Sequence, residues 1–179
     1  MIGVLVSGNG TNLQALLDRH LPVRAVASNK ENAPALARAS HLPTAVFELR
    51  DYASRDDRDA AMADWLQQHD VQLVVLAGYM HLLTASFLER FPGCVINVHP
   101  SLLPDFPGAH AVADQLAAGV TDSGATVHVV DEGVDTGRIL LQQRVPVHAD
   151  DTVESLHARI REVEHLLLPA AVEVLVCAR

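Results

Sequence analysis

The chain has 179 residues, a formal net charge of -9 and 49% hydrophobic residues. At about 150 residues per domain this is a single domain, and a chain of this size buries roughly 70% of its unfolded surface without disulfide or metal support. The acidic balance opposes non-specific binding to nucleic acid or to an anionic membrane, but it does not exclude small anionic ligands, which need only a local positive potential.

Strand, glycine turn and helix alternate through the first half. Ile2 to Ser7 is a short apolar strand without a basic leader, so no removable signal is expected. Thr11 to His20 is a helix with Leu13, Leu16 and Leu17 on one face. Pro22 to Ser28 is a second strand. Glu31 to Ser40 is an alanine-rich helix in which Pro34 fits only in the first turn. Thr44 to Leu49 alternates as a strand. Ser54 is placed to cap a helix from Arg55 to His69, with Asp56 and Asp57 at its positive end. Val71 to Ala77 is continuously apolar, as in a central parallel strand. Ala85 to Phe91 is a short helix and Val95 to Val98 another buried strand.

The second half changes character. Pro100, Pro104 and Pro107 mark a loop, followed by a helix from His110 to Ala118. Thr126 to Val130 and Ile139 to Val147 read as an antiparallel pair whose connection is too long for a tight hairpin. Thr152 to about Val176 is one long amphipathic helix containing Pro169. The expected fold class is α/β: a mostly parallel twisted sheet with helices on both faces and antiparallel strands toward the C-terminal part. No apolar run reaches the roughly 18 residues of a membrane span. Cys94 and Cys177 lie in apolar runs with no CxxC spacing, so a disulfide framework is not expected and the cytoplasm is the expected compartment.

Ser7-Gly8-Asn9-Gly10-Thr11-Asn12 joins a strand to a helix. Glycines permit close backbone approach, and the helix start offers unpaired N–H groups at a positive dipole end, which suits a phosphate. The third glycine of a dinucleotide fingerprint is missing, and no acidic ribose anchor follows Ser28-Asn29-Lys30. The alternative is a plain tight turn with Thr11 as cap. Asn97-Val98-His99 follows a buried strand, and in α/β sheets ligands bind beyond the carboxyl ends of strands. Asn97 and His99 share a strand face. Two N–H donors converging on one oxygen would form an oxyanion hole; the alternative is a satisfied structural histidine. Asp131-Glu132-Gly133-Val134-Asp135-Thr136-Gly137 is an acidic loop. It reads as a solvated turn, or as a source of a carboxylate that favours the cation of His99; the calcium-loop pattern fails. There is no HExxH, no metal-spaced His cluster and no Gly-x-Ser-x-Gly elbow. No metal site is expected, and positioning with polar stabilisation remains.

With Leu13-Gln14, Leu76-Ala77-Gly78-Tyr79-Met80, Asn97-Val98-His99-Pro100-Ser101-Leu102-Leu103-Pro104 and Gly124-Ala125-Thr126-Val127-His128, these blocks resemble the folate-dependent formyltransferases, and most closely the phosphoribosylglycinamide formyltransferases of purine synthesis. The resemblance covers nearly the whole chain. It implies formyl transfer from 10-formyltetrahydrofolate, as co-substrate, to the amine of glycinamide ribonucleotide. It implies Asn97, His99 and Asp135 as the catalytic trio, and Gly10, Thr11, Asn12 and Glu164 at the ribonucleotide. Arg55, Met80, His81, Leu82, Leu83, Asn97, Asp131 and Val134 are implied at the folate, and Leu103-Pro104 as a cis bond.

Each assignment has a plainer counterpart. Arg55 and Glu164 would read as solvated helix charges, and Met80, Leu82 and Leu83 as core. Many members of the family carry Arg where His81 stands and Pro where Arg138 stands. The rivals are hydrolysis of 10-formyltetrahydrofolate, formylation of initiator tRNA (which the charge opposes) and a non-catalytic phosphometabolite-binding module. The implied partners are small molecules, with no nucleic acid and no membrane; monomer and homodimer both stay open.

Overall fold

The computed structural model describes residues Met1–Cys177. The side chain of Cys177, with residues 178 and 179, lies outside the described residues. The chain divides into two compact units, Met1–Ile96 and Asn97 onward.

The first unit holds β1 (Ile2–Val6), α1 (Thr11–Asp18), β2 (Val23–Ser28), α2 (Ala35–Arg38), β3 (Thr44–Val46), α3 (Arg55–Gln68), β4 (Leu73–Leu76) and α4 (Ala85–Arg90). β1 pairs in parallel with β2 and with β4, and β2 with β3. β1 and β4 are buried along their whole length. Their unbroken apolar runs are what a parallel strand covered on both faces requires. Leu13 and Leu16 of α1 and Met62, Ala63 and Leu66 of α3 supply the helical side of this core.

The second unit holds α5 (Ala111–Ala118), β6 (Asp122–Val129), β7 (Ile139–Pro146) and α6 (Val153–Cys177). β5 (Val95–His99) carries the boundary, and the strand order is β3-β2-β1-β4-β5-β6-β7. β6 and β7 pair antiparallel, with a register shift between Val127 and His128. The expected class, a mostly parallel sheet with antiparallel strands toward the C-terminal part, is the one observed.

Three elements differ from the sequence reading. The alanine-rich helix covers only Ala35–Arg38, not Glu31 to Ser40. Ala33 N–H bonds Lys30 O in a turn, and Pro34 has no N–H and takes the N-cap. Ala35 N–H donates to Gly8 O, so the helix start is tied to the first glycine turn. The third strand ends at Val46 rather than Leu49, because Phe47 turns inward against Tyr52 and Trp65 and Leu49–Asp51 closes a 3-10 turn. β6 begins at Asp122, ahead of the expected Thr126. Gly124 permits this: a Cβ there would collide with Leu102 and with the carbonyl of Gln143 on the paired strand. The last helix continues through Pro169.

Candidate functional site

In the first unit, Gly10 is the N-cap of α1 at φ 71, and no side chain caps the helix. Thr11 is the first helical residue rather than a cap, and the start of the helix presents its N–H groups at the positive end of the dipole. A Cβ at Gly10 would lie 2.5 Å from Ala35 Cβ and 2.8 Å from its Cα, so α2 packs directly on the turn. Arg38 Nε donates to Asn9 O at 2.7 Å from the end of α2. Asn12 is buried beneath the turn. Ser7 Oγ donates to Asn29 Oδ1 at 2.6 Å and accepts from Met80 N at 2.9 Å, which anchors the segment after β4.

That segment holds the expected Met80–Leu83 stretch. Met80 and Leu82 are 67% and 56% exposed, not core, and His81 and Leu83 are partly exposed. Large apolar side chains standing in water next to an anchored backbone suit a ligand surface. Arg55 opens α3 and is exposed. Ser54 caps the helix as expected, accepting from Asp57 N at 3.0 Å.

In the second unit the expected trio is assembled. Asn97 and His99 alternate along β5, and both reach Asp135 from the long β6–β7 connection. His99 is 4% exposed. Its Nε2 faces Phe106 O at 2.8 Å and its Nδ1 faces Asp135 Oδ2 at 3.3 Å. Each ring nitrogen therefore meets an oxygen acceptor, an arrangement in which both can carry hydrogen. Asp135 Oδ2 also accepts from Gly108 N at 2.8 Å, and Oδ1 lies 3.5 Å from Asn97 Nδ2 and 3.4 Å from His128 Nε2. Burial alone would push the Asp135 pKa up. The hydrogen bonds from His128 and Gly108, with the charges of His99 and His128, outweigh it and bring the value from 3.8 down to about 2.

The proline loop is braced to hold these groups. Thr126 Oγ1 donates to Ser101 O at 2.7 Å and accepts from Leu103 N, and Gln142 Nε2 donates to Leu103 O at 2.9 Å. Gln115 Nε2 reaches Pro100 O, and Ser101 Oγ reaches Asp105 O. The Leu103-Pro104 bond is cis. Phe106 at φ 53 and Gly108 at φ 91 aim one carbonyl at His99 and one N–H at Asp135.

Other expected residues stand apart from the trio. Asp131 accepts from Gly133 N and Thr136 Oγ1, so its carboxylate shapes the loop, and Val134 is 45% exposed. Glu164 is 5% exposed on α6, so it is a buried acid rather than a solvated helix charge. Sequence reasoning missed His128 as a site residue. It is 2% exposed, its Nε2 lies 3.2 Å from Asn97 Nδ2, and its Nδ1 meets Val129 O at 2.9 Å. The available signal was the alternation of Thr126 and His128 on a buried strand. Among the described residues, no group of three or more His, Cys, Asp or Glu side chains is placed to hold a metal ion, and no helix is long and apolar enough to cross a membrane.

The sequence profile described as formyl transferase matches residues 1–172, through both units. A phosphoribosylglycinamide formyltransferase from Mycobacterium tuberculosis is 47% identical over 178 residues, covering 96% of this chain and 83% of that protein. The crystal structure of glycinamide ribonucleotide transformylase 1 from Symbiobacterium toebii superposes with a TM-score of 0.96 at 45% identity, over 99% of this chain and 88% of that one. The trifunctional purine biosynthetic protein adenosine-3 of Chironomus tentans is 43% identical over 97% of this chain, which spans only 13% of that protein's length. The chain belongs to the formyl transferase family.

Proposed function

We propose that residues 1–179 act as a single formyltransferase domain in the cytoplasm, moving a formyl group from 10-formyltetrahydrofolate to the amine of 5'-phosphoribosylglycinamide. The observation that carries this reading is His99, buried at the end of β5 between Phe106 O and Asp135, with Asn97 on the same strand face. The names of the relatives support the acceptor and the formyl transfer, and the folate donor rests on the resemblance of the motifs.

In this reading the amine nitrogen attacks the formyl carbon and forms the new C–N bond. The carbonyl π electrons move to oxygen, where Asn97 Nδ2–H and His99 N–H hold the developing charge. His99 Nε2 is committed to Phe106 O, so Nδ1, with its looser 3.3 Å contact to Asp135, is the nitrogen that serves the substrate oxygen. Asp135 stabilises the imidazolium and passes the amine proton, through water, toward the departing folate nitrogen. Collapse of the intermediate breaks the bond from carbon to that nitrogen and releases tetrahydrofolate. Gly10, Thr11 and Asn12 take the phosphate at the start of α1, and Glu164 takes the ribonucleotide. Arg55 takes the acidic folate tail. Met80, His81, Leu82 and Leu83, with Asp131 and Val134, take the rest of the folate.

His99→Ala tests the reading. It removes one oxyanion donor and the partner of Asp135, and is expected to lower kcat by about 100-fold or more with both ligands still bound by calorimetry. Unchanged turnover would contradict the mechanism and favour a binding module.

A further inference from the structure

Arg58 and Asp59, side by side on α3, are both fully buried. Asp59 Oδ1 accepts from Arg58 Nε at 2.8 Å and from Nη2 at 2.5 Å. Its Oδ2 accepts from Thr84 N at 2.8 Å. Both carboxylate oxygens are therefore used, and one guanidinium nitrogen is left over. That nitrogen, Nη1, lies 2.6 Å from His81 Nδ1. A guanidinium only donates. The imidazole atom facing it must therefore be the bare, accepting nitrogen, and the ring hydrogen belongs on Nε2.

His81 is partly exposed, and its Nε2 has no partner among the described residues. Met80 and Leu82 on either side of it are largely in water, although the backbone beneath them is pinned at Met80 N by Ser7 and at Thr84 N by Asp59. Tyr79 packs edge-on against the ring at 5.9 Å between centroids. The result is a rigid stretch that presents two apolar side chains and one oriented N–H.

We propose that Arg58, held by Asp59, is a positioning residue that fixes His81 as a neutral imidazole whose Nε2–H donates to an acceptor oxygen of the folate co-substrate. The last clause rests on the formylfolate reading above. The charged and titratable groups facing the ring agree with it. Burial, then the positive charges of Arg58 and Arg55 and more weakly Lys30, lower the His81 pKa from 6.5, and Asp59 alone opposes them. Tyr79, raised by burial to about 12, stays neutral. Protonating Nδ1 would set two cations 2.6 Å apart, so the ring donates without becoming a cation.

The primary test is nitrogen-15 NMR of the His81 ring in the unmodified protein. The expected result is an unprotonated Nδ1 and a protonated Nε2 at neutral pH, persisting on titration below 6.5, with the Nε2–H signal shifting when 10-formyltetrahydrofolate is added. A proton on Nδ1 at neutral pH would overturn the proposal. Arg58→Lys keeps a cation for Asp59 but withdraws the planar fork, and is expected to return His81 to a mixture of tautomers; an unchanged tautomer would overturn the role of Arg58.

His81→Ala is expected to raise KM for 10-formyltetrahydrofolate about fivefold, as for one lost hydrogen bond, and by more than it changes kcat. His81→Gln, which supplies a neutral N–H, is expected to restore most of it. An enzyme that transfers formyl while its Nε2–H signal ignores the folate would overturn the proposal and leave the function standing. A fixed tautomer in a protein that transfers no formyl group would overturn the function instead, and with it the folate as the acceptor.

Discussion

Asp135 is held in the left-handed region at φ 55, where a non-glycine residue persists only if its surroundings over-determine it. Its carboxylate meets Gly108 N, His99, His128 and Asn97. Asp135→Asn removes the negative charge 3.3 Å from His99 Nδ1, and on the proposed mechanism is expected to lower kcat by about 100-fold, with ligand binding retained by calorimetry. The same carboxylate contributes to stability. Its folded pKa of about 2 lies below the ordinary 3.8, so the contribution is full above pH 3.8 and is lost as pH falls through 2. The shift corresponds to roughly 2 kcal/mol. Urea unfolding between pH 5 and 2 is expected to show this loss in the native chain and a flatter profile in Asp135→Asn. His128→Ala withdraws a donor from Asp135 and a neighbour from Asn97, and is expected to cost about tenfold in kcat and to raise the Asp135 pKa. Carboxyl-carbon NMR titration of Asp135 reads that shift directly. At this scale the alternation of Asn97 and His99 along one strand was legible in the sequence. His128 was not, because its place beside Asn97 depends on which strand lies next to β5. The burial of Glu164 was equally hidden, since a charged residue on an amphipathic helix carries no mark of which face it occupies.

At the scale of elements, the glycine turn and α2 depend on each other. Gly8 O accepts from Ala35 N, and Gly10 leaves no room for a Cβ against Ala35. Gly10→Val therefore combines a disfavoured φ with a backbone clash. It is expected to destabilise the fold by about 3 kcal/mol and to weaken both ligands, as thermal unfolding and calorimetry would show. Gly8 has nothing within 4 Å of its missing Cβ. Gly8→Ala should therefore hold its melting temperature within a few degrees, and any loss of ribonucleotide affinity in it reports on the turn alone. The fully buried Arg58–Asp59 pair is the corresponding anchor of α3. Asp59→Ala strands a cation in the core and is expected to cost about 3–5 kcal/mol by urea unfolding. Most elements were legible because periodicity and capping agree, as at Ser54 and the apolar β4. The short α2 and β3 were not. Their ends are set by Pro34, by the bond from Ala35 to Gly8 and by the inward turn of Phe47, which belong to tertiary packing rather than to local pattern.

At the scale of the whole molecule, strand order and pairing match the α/β class expected from alternating strands and helices, and the family profile runs through both compact units. The side chains read as catalytic gather in the second unit, and the turn read as phosphate-binding lies in the first. A non-catalytic binding module would need only the turn. The most direct measurement is tetrahydrofolate release, followed by absorbance, from the purified protein mixed with 10-formyltetrahydrofolate, with and without 5'-phosphoribosylglycinamide. The account predicts release only when the ribonucleotide is present, together with a formylated ribonucleotide by mass. Release without the ribonucleotide, or no release from a folded sample, would contradict it.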